Sequence, residues 1–239
     1  MSVERETDAV AARYARRDAG DRYSLLRPDV WQSVQERQRA MLRLFERGGL
    51  PDPATLRLLE VGCGAGGNLL ELLRIGFSPE HLVGIELLPE RFAQARRVLP
   101  AALALIEGDA LLADVPAESQ DVVFVSTVFS SLLDDAFQQR LADAMWRWLK
   151  PGGAVLWYDF TFDNPRNHDV RGVPLSRVRA LFPQGQVQAR RVTLAPPLAR
   201  IVCRMHPALY GVFNALPVLR THVLAWVRKG AHERPAASG

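Results

Sequence analysis

The sequence predicts an α/β fold, a mostly parallel sheet with helices on both faces. Three observations predict it. First, the short runs Leu56–Val61, Leu82–Glu86, Leu103–Glu107, Asp121–Val125 and Ala154–Phe160 are apolar nearly throughout, as strands buried on both faces are. Second, Asn68–Ile75, Pro89–Leu99 and Asp135–Leu149 carry apolar residues at helical spacing. Third, the two kinds of segment follow one another from residue 56 to residue 160, the order that feeds a parallel sheet.

The elements follow in chain order. Residues 1–27 are polar, with isolated aromatics at Tyr14 and Tyr23. Pro28 suits the first turn of a helix. Trp31, Val34, Gln38, Met41, Leu42 and Phe45 then recur at mostly three- and four-residue steps, and Gly48-Gly49 stops the pattern. Residues 1–50 are therefore expected to form an N-terminal helical cap or lid. Gly76 ends the helix from Asn68, Pro89 opens the next, and Lys150-Pro151-Gly152-Gly153 closes the third. Past residue 160 a polar loop, Thr161–Gly172, leads to a short helix near Pro174–Phe182. A strand at Val187–Leu194 stops at Pro196-Pro197, a helix is expected over 206–216, and Thr221–Val227 reads as the last strand.

A chain of 239 residues, 48% hydrophobic and 23% charged, is neither disordered nor collagen-like and can bury a sizeable core. No apolar run reaches the ~18 residues of a membrane span. The charged start MSVERETDAV is not a secretory signal, and Cys63 and Cys203 make neither a disulfide framework nor a metal spacing. A cytoplasmic location is expected. The formal charge of +4 hides an asymmetry. Residues 1–163 hold 18 Lys and Arg against 24 Asp and Glu, whereas residues 164–230 hold 11 against Asp169 alone. Such a split suggests an anionic partner for the second half.

The chemistry lies in Leu58-Leu59-Glu60-Val61-Gly62-Cys63-Gly64-Ala65-Gly66-Gly67-Asn68. A buried strand runs into a glycine turn and then a helix, whose first N–H groups lack partners. In open α/β sheets ligands sit beyond the carboxyl ends of the strands. Gly62-x-Gly64-x-x-Gly67 matches the dinucleotide fingerprint, and Gly62-x-Gly64-x-Gly66 matches the loop of S-adenosylmethionine (SAM) enzymes. The glycines alone do not choose, and Glu86, which can bind a ribose diol, suits either cofactor. Glu60 decides, since a dinucleotide enzyme usually has an apolar residue there and the SAM ammonium calls for an acid. Gly108-Asp109-Ala110 and Leu149-Lys150-Pro151-Gly152-Gly153 agree.

On these residues the chain resembles the class I SAM-dependent methyltransferases, type 11-like. The motifs at Leu58–Gly66, Val83–Leu87, Gly108–Ala110 and Leu149–Gly153 stand in the right order over residues 55–160. The resemblance implies a Rossmann-like seven-stranded sheet whose last strand is antiparallel, for which Leu219–Arg228 is suited. It implies a cofactor half over 51–160, an acceptor-side half over 161–230 and a disordered tail over 231–239. It also implies that Gly62, Cys63, Gly64 and Gly66 line the methionine part of SAM, Cys63 as a small filler, with Glu60 near the ammonium. Glu86 would take the ribose hydroxyls and Leu87 would flank the adenine. Asp109 would take the adenine amine and Ala110 its ring; as a turn residue, Asp109 has a purely local alternative. Ser126 and Thr127 would lie near the methionine end.

Trp157–Gly172 and Arg190–Arg200 resemble a bacterial subgroup that accompanies O-antigen and polysaccharide assembly genes. That resemblance implies methylation of a sugar or lipid-linked glycan hydroxyl. Such acceptors are anionic, so Arg166, Arg171 and Arg200 are the expected acceptor contacts. Arg190 and Arg191 are adjacent in a strand and point to opposite faces. His168 is the best general base by pKa and Asp159 by position. Asp159, Asp163, Asn164 and Asp169 make the one conceivable hard-metal set, but metal-dependent O-methyltransferases also place an acid where Ser126 stands, so no metal is expected. The Tyr14/Tyr23 segment is expected to fold over the cofactor. Residues 201–219 are apolar and suit an acceptor wall, a membrane surface at its inner face, or core packing. A nucleic-acid substrate is not expected, because Ser126-Thr127-Val128-Phe129 stands in place of an Asn-Pro-Pro-Tyr-type tetrapeptide. Methylation of another small metabolite, a nicotinamide oxidoreductase and a non-catalytic SAM-fold partner remain alternatives, and the oligomeric state is open.

Overall fold

The computed structural model describes residues 3–16, 20–21, 23–48, 52–163, 165 and 167–231. Helices α1 (Val3–Ala15) and α2 (Pro28–Gly48) come first. The alternation then runs β1 (Leu58–Val61), α3 (Gly67–Ile75), β2 (Leu82–Glu86), α4 (Pro89–Val98), β3 (Ala104–Glu107), β4 (Gln120–Ser126), α5 (Asp135–Trp148) and β5 (Leu149–Phe160). The last part is α6 (Leu175–Leu181), β6 (Gln186–Leu194), α7 (Pro196–Met205), α8 (Leu209–Asn214) and β7 (Arg220–Arg228). The sheet has seven strands in the order β3-β2-β1-β4-β5-β7-β6. Strands β1 to β5 are mutually parallel, and β7 is antiparallel to both its neighbours, as expected for the last strand.

Strand alternation gives the sheet two apolar faces. On one, Leu59, Val125, Val155 and Trp157 pack with Phe137, Leu141 and Met145 of α5. On the other, Leu58, Phe124, Leu156 and Trp226 pack with Met41, Leu44 and Phe45 of α2 and Leu69 of α3. Each such fully buried side chain contributes about 1.5–3 kcal/mol, which is why these runs are apolar on both sides. The strand order reverses between β1 and β4, so a crevice opens at their carboxyl ends.

Three elements differ from expectation. Pro196-Pro197 begins a helix, α7, where the sequence suggested only the end of a strand. Proline lacks the N–H that an opening turn leaves unpaired anyway, so the same residues break a strand and start a helix. The helix expected over 206–216 is correspondingly short, Leu209–Asn214. Lys150–Gly153 belongs to β5: the pairing shifts between Gln120↔Leu149 and Val122↔Ala154. Gly153 is required there, because a Cβ would lie 2.8 Å from the Asp121 carbonyl oxygen.

Candidate active site

The turn from β1 to α3 needs its glycines. Gly62, Gly64 and Gly66 have φ of +68°, +58° and +87°. A Cβ on Gly62 would lie 2.6 Å from a Val128 methyl, and one on Gly66 2.8 Å from Leu99. Strand β2 holds the turn in place. Gly62 and Cys63 donate their N–H groups to the Ile85 carbonyl at 2.8 and 3.0 Å. Glu86, 5% exposed at the end of β2, accepts from Gly64 N–H at 2.7 Å and Leu88 N–H at 2.9 Å. One bond to each oxygen leaves the carboxylate with further lone pairs for a ligand. Asp109 is half-buried and caps the turn Ala110–Leu112, accepting from Leu111 N–H at 2.8 Å. Leu87 and Ala110 are half-buried against the core beside it.

Glu60 is wholly buried beneath the turn. One oxygen accepts from Asn68 Nδ2 at 2.6 Å; Oε2 has no hydrogen-bond partner among the described residues. Burial pushes its pKa up to about 8, against the opposing pull of the Asn68 bond and Arg37. A buried acceptor without a partner is costly, so a cationic group placed beside Oε2 would be favoured.

Arg37 reaches this point from α2. Its Nη2 donates to Asn68 Oδ1 at 2.7 Å and to both Glu71 oxygens at 3.1 and 3.3 Å, and its Nη1 approaches Ser126 Oγ at 3.5 Å. The guanidinium lies 5.2 Å from the centre of the Tyr158 ring. Tyr158 stacks on His222 with centroids 5.0 Å apart and shares a 2.9 Å hydrogen bond with Thr193. Burial pushes the Tyr158 phenol up to about 12, and burial with Arg37 nearby holds His222 down to about 4, so both rings are neutral near pH 7. Two non-glycine residues with positive φ flank this pair, Thr127 at +55° and Thr193 at +64°. Such conformations cost roughly 1–3 kcal/mol and persist only where neighbours enforce them. Here Thr127 N–H donates to the Tyr158 carbonyl at 2.8 Å and Thr193 N–H to Glu36 at 2.9 Å.

The crevice thus offers a carboxylate for a cation, a second for a diol, a third for an amine and bare backbone between them. SAM carries each of those groups in one molecule. Residues 58–153 match the family described as "Methyltransferase domain". SAM is the cofactor that this set of groups fits. The chain is similar to sterol 24-C-methyltransferase erg-4 of Neurospora crassa, 26% identical over 60% of this chain and 38% of that protein. It is also similar to tRNA N(3)-cytidine methyltransferase METTL2 of Mus musculus, 32% identical over 45% of this chain and 29% of that protein. It spans less than two fifths of either relative's length. In fold it is similar to the N-methyltransferase NodS from Bradyrhizobium japonicum WM9, solved with S-adenosyl-L-homocysteine. The TM-score is 0.63 at 20% identity, covering 94% of this chain and 98% of that one.

The glycine turn brings Glu60, Gly62, Gly64, Gly66 and Glu86 together with Ser126; Thr127 is exposed at the end of β4. Cys63 is 5% exposed and its Sγ lies in the core 2.8 Å from where a Gly84 Cβ would stand. It therefore offers the crevice backbone alone, and burial raises its thiol pKa, which makes it inert.

The expected base Asp159 is elsewhere. Alternation along β5 puts it on the sheet face opposite Tyr158 and Ser126, where it is 1% exposed. Its oxygens accept from Ser130 N–H at 3.0 Å and Phe160 N–H at 2.9 Å. It anchors the turn after β4, and burial pushes its pKa up to about 7. His168 is exposed on the loop after β5. Arg171 is ion-paired with Asp135 on α5, which occupies the guanidinium expected to meet an acceptor. Arg200 lies exposed on α7, and Arg166 and Asn164 lie outside the described residues. Burial, with the charges of Arg43, Arg220 and Arg47 nearby, holds the Arg190 pKa down, whereas Arg191 stands over Phe162, and as neighbours on β6 the two point apart. No group of three or more His, Cys, Asp or Glu side chains that would hold a metal occurs among the described residues.

Of the segment expected to fold over the cofactor, α1 packs on the turn after β4. Helix α1 docks through the buried pair Glu6–Arg13, 2.7 Å apart. Arg13 also donates to the Ser131 carbonyl at 2.9 Å, and Leu133 N–H donates to Glu6 at 2.8 Å. Tyr14 Oη lies 3.3 Å from Ser131 Oγ, and the Arg91 guanidinium of α4 covers the Tyr14 ring at 4.5 Å. Arg91 lies 3.9 Å from where a Gly64 Cβ would stand, so α1 bridges the two sides of the crevice. Tyr23 is 70% exposed. Sequence reasoning missed Arg37, Asn68 as a partner of Glu60, Tyr158, His222 and the Glu6–Arg13 pair. The one available signal was Asn68 itself, a polar residue on the first turn after the glycines.

Proposed function

We propose that this chain methylates a hydroxyl of an anionic sugar, glycan or glycolipid precursor. SAM supplies, when bound, a methyl group that a sulfonium already makes electrophilic. The chain's own residues hold and orient. Glu60, steered by Asn68, takes the ammonium; Glu86 takes the ribose hydroxyls; Asp109 takes the adenine amine, between Leu87 and Ala110. Ser126, Thr127 and the Tyr158–His222 stack wall the acceptor end, and α1 excludes water. Alignment of this kind supplies about 7–11 kcal/mol of a displacement barrier.

His168 serves as the general base for the acceptor proton. Its loop is tied to the turn after β4 by Arg171 N–H donating to the Ser130 carbonyl at 2.8 Å. The loop is tied to the lid side by Asp169 and Arg16, 2.6 Å apart. Asp159 is a positioning residue for that same turn.

The observation that carries the methyltransferase reading is the buried Glu60 oxygen beside the glycine turn that has no hydrogen-bond partner among the described residues. One feature supports the anionic glycan: residues 170–230 contain ten Lys and Arg and no acid. The test is transfer of labelled methyl from SAM to a panel of sugar nucleotides, lipid-diphosphate sugars, small metabolites, tRNA and sterols. Label on a sugar hydroxyl is expected. Label only on another acceptor would overturn the glycan and leave the methyltransferase. Absence of SAM binding by calorimetry would overturn both.

A further inference from the structure

Helices α7 and α8 pack on each other at the carboxyl edge of the sheet, after the last pair of β6, Leu194↔Arg220. Ala199, Val202 and Cys203 of α7 are buried against Leu194 and Tyr210. The opposite face is apolar as well: Ile201 is 60% exposed and Met205 75%. Val212 of α8 is 65% exposed and Val218, just beyond it, 76%. Such a cluster is unusual on a lone soluble surface, where large apolar patches mark contacts.

Charge says what the contact is. Arg200 and Arg204 are exposed between the apolar residues of α7. No Asp or Glu occurs from residue 170 to residue 230. A polyanionic RNA matches the arginines but offers no medium for four exposed apolar side chains. A second copy of the same face would set arginine against arginine. An anionic bilayer satisfies both features, taking the apolar side chains below its headgroups and the guanidiniums among its phosphates. No helix among the described residues is long and apolar enough to cross a membrane, so the contact is one of lying on the surface.

We propose that the outer face of α7 and α8 docks on an anionic lipid bilayer. The docked face shares the sheet edge with the crevice, so the open end of the site is held near the bilayer surface. The proposal stands on exposure and charge and does not need the acceptor to be a lipid.

The test is flotation of the full chain with phosphatidylcholine vesicles, with and without phosphatidylglycerol. Flotation only with phosphatidylglycerol is expected. Ile201→Glu with Val218→Glu should abolish it, and Arg200→Ser with Arg204→Ser should weaken it roughly 10–30-fold. Val98→Glu, at a 52% exposed position on α4, should float like the parent chain. SAM titration of each variant reports that the fold is intact and is independent of flotation. Absence of flotation, or flotation that neither pair of substitutions changes, overturns the proposal. So does tRNA binding or a dimer in sedimentation that Ile201→Glu removes while no vesicle binds.

Discussion

Asn68 on the first turn of α3 donates its amide to Glu60 across 2.6 Å at the buried end of the crevice. Its other amide atom accepts from Arg37 at 2.7 Å, which only an oxygen can do, so the amide orientation is determined by chemistry. One side chain therefore joins a buried acid to a guanidinium from a helix 31 positions earlier in the chain. Four predictions follow from this pair and its surroundings.

Without SAM, Glu60 holds its proton up to about pH 8. The SAM ammonium favours the carboxylate, so binding at pH 7 should release close to one proton. Calorimetry in buffers of different ionisation enthalpy reads this directly. Glu60→Gln keeps an acceptor for Asn68 but cannot ionise. It should bind SAM at least about tenfold more weakly, equivalent to about 1.4 kcal/mol, and release no proton at this site. Proton release unchanged in the variant would place the titrating group elsewhere.

Stability without SAM should fall as pH rises. Glu60 goes from an unfolded value of 4.5 to about 8 on folding, and Asp159 from 3.8 to about 7. Between those limits the folded state carries a proton that the unfolded state has lost, so stability falls with each pH unit. The contribution is complete below pH 4 and lost by about pH 8. Thermal melts from pH 5 to 8 should show a falling Tm, and Glu60→Gln should flatten the slope. A Tm that rises steadily over this range would contradict the assignment.

Asp159 and His168 should separate cleanly. Asp159→Ala leaves two N–H groups, of Ser130 and Phe160, without their acceptor. An unsatisfied buried group costs about 1–3 kcal/mol, so Tm should drop by several degrees. His168→Ala, at an exposed position, should leave Tm unchanged and lower methyl transfer about 100-fold or more with SAM affinity intact. Full turnover by His168→Ala would show that alignment alone suffices.

Removing one member of the lid's buried pair should loosen the lid. Arg13→Ala strands Glu6, which is 1% exposed and also holds Leu133 N–H. Breaking a buried pair from one side typically costs about 3–5 kcal/mol, more than a single short helix contributes by itself. The SAM dissociation rate should rise, read by stopped-flow, while the sheet melts near its usual temperature. An unchanged rate would remove α1 from the retention of SAM.

Legibility tracked the range of the interactions. The boundaries of β2 were read to the residue because apolar runs and turn residues are local signals. The glycine turn was legible because backbone conformation and close approach leave one residue type. Asp159 was misplaced because its position along β5 was readable but its face was not. One step along a strand reverses the side chain, and only the register with β4 and β7 says which face meets the crevice. Arg37 was invisible for a similar reason. On α2 it sits among polar residues that all look solvated, and its partners come from α3, β4 and β5.

The sequence by itself determined the α/β alternation, the parallel core, the glycine turn and the acids Glu60, Glu86 and Asp109, because periodicity, backbone freedom and charge are properties of neighbouring residues. Only the tertiary structure decided that Glu6 and Arg13 dock α1 on the turn after β4 and that Tyr158 stacks on His222. It also decided that Asp159 braces a turn and that Arg200 stands outside with Ile201 and Met205. Those outcomes depend on which distant side chains meet, and burial then sets their protonation and their task.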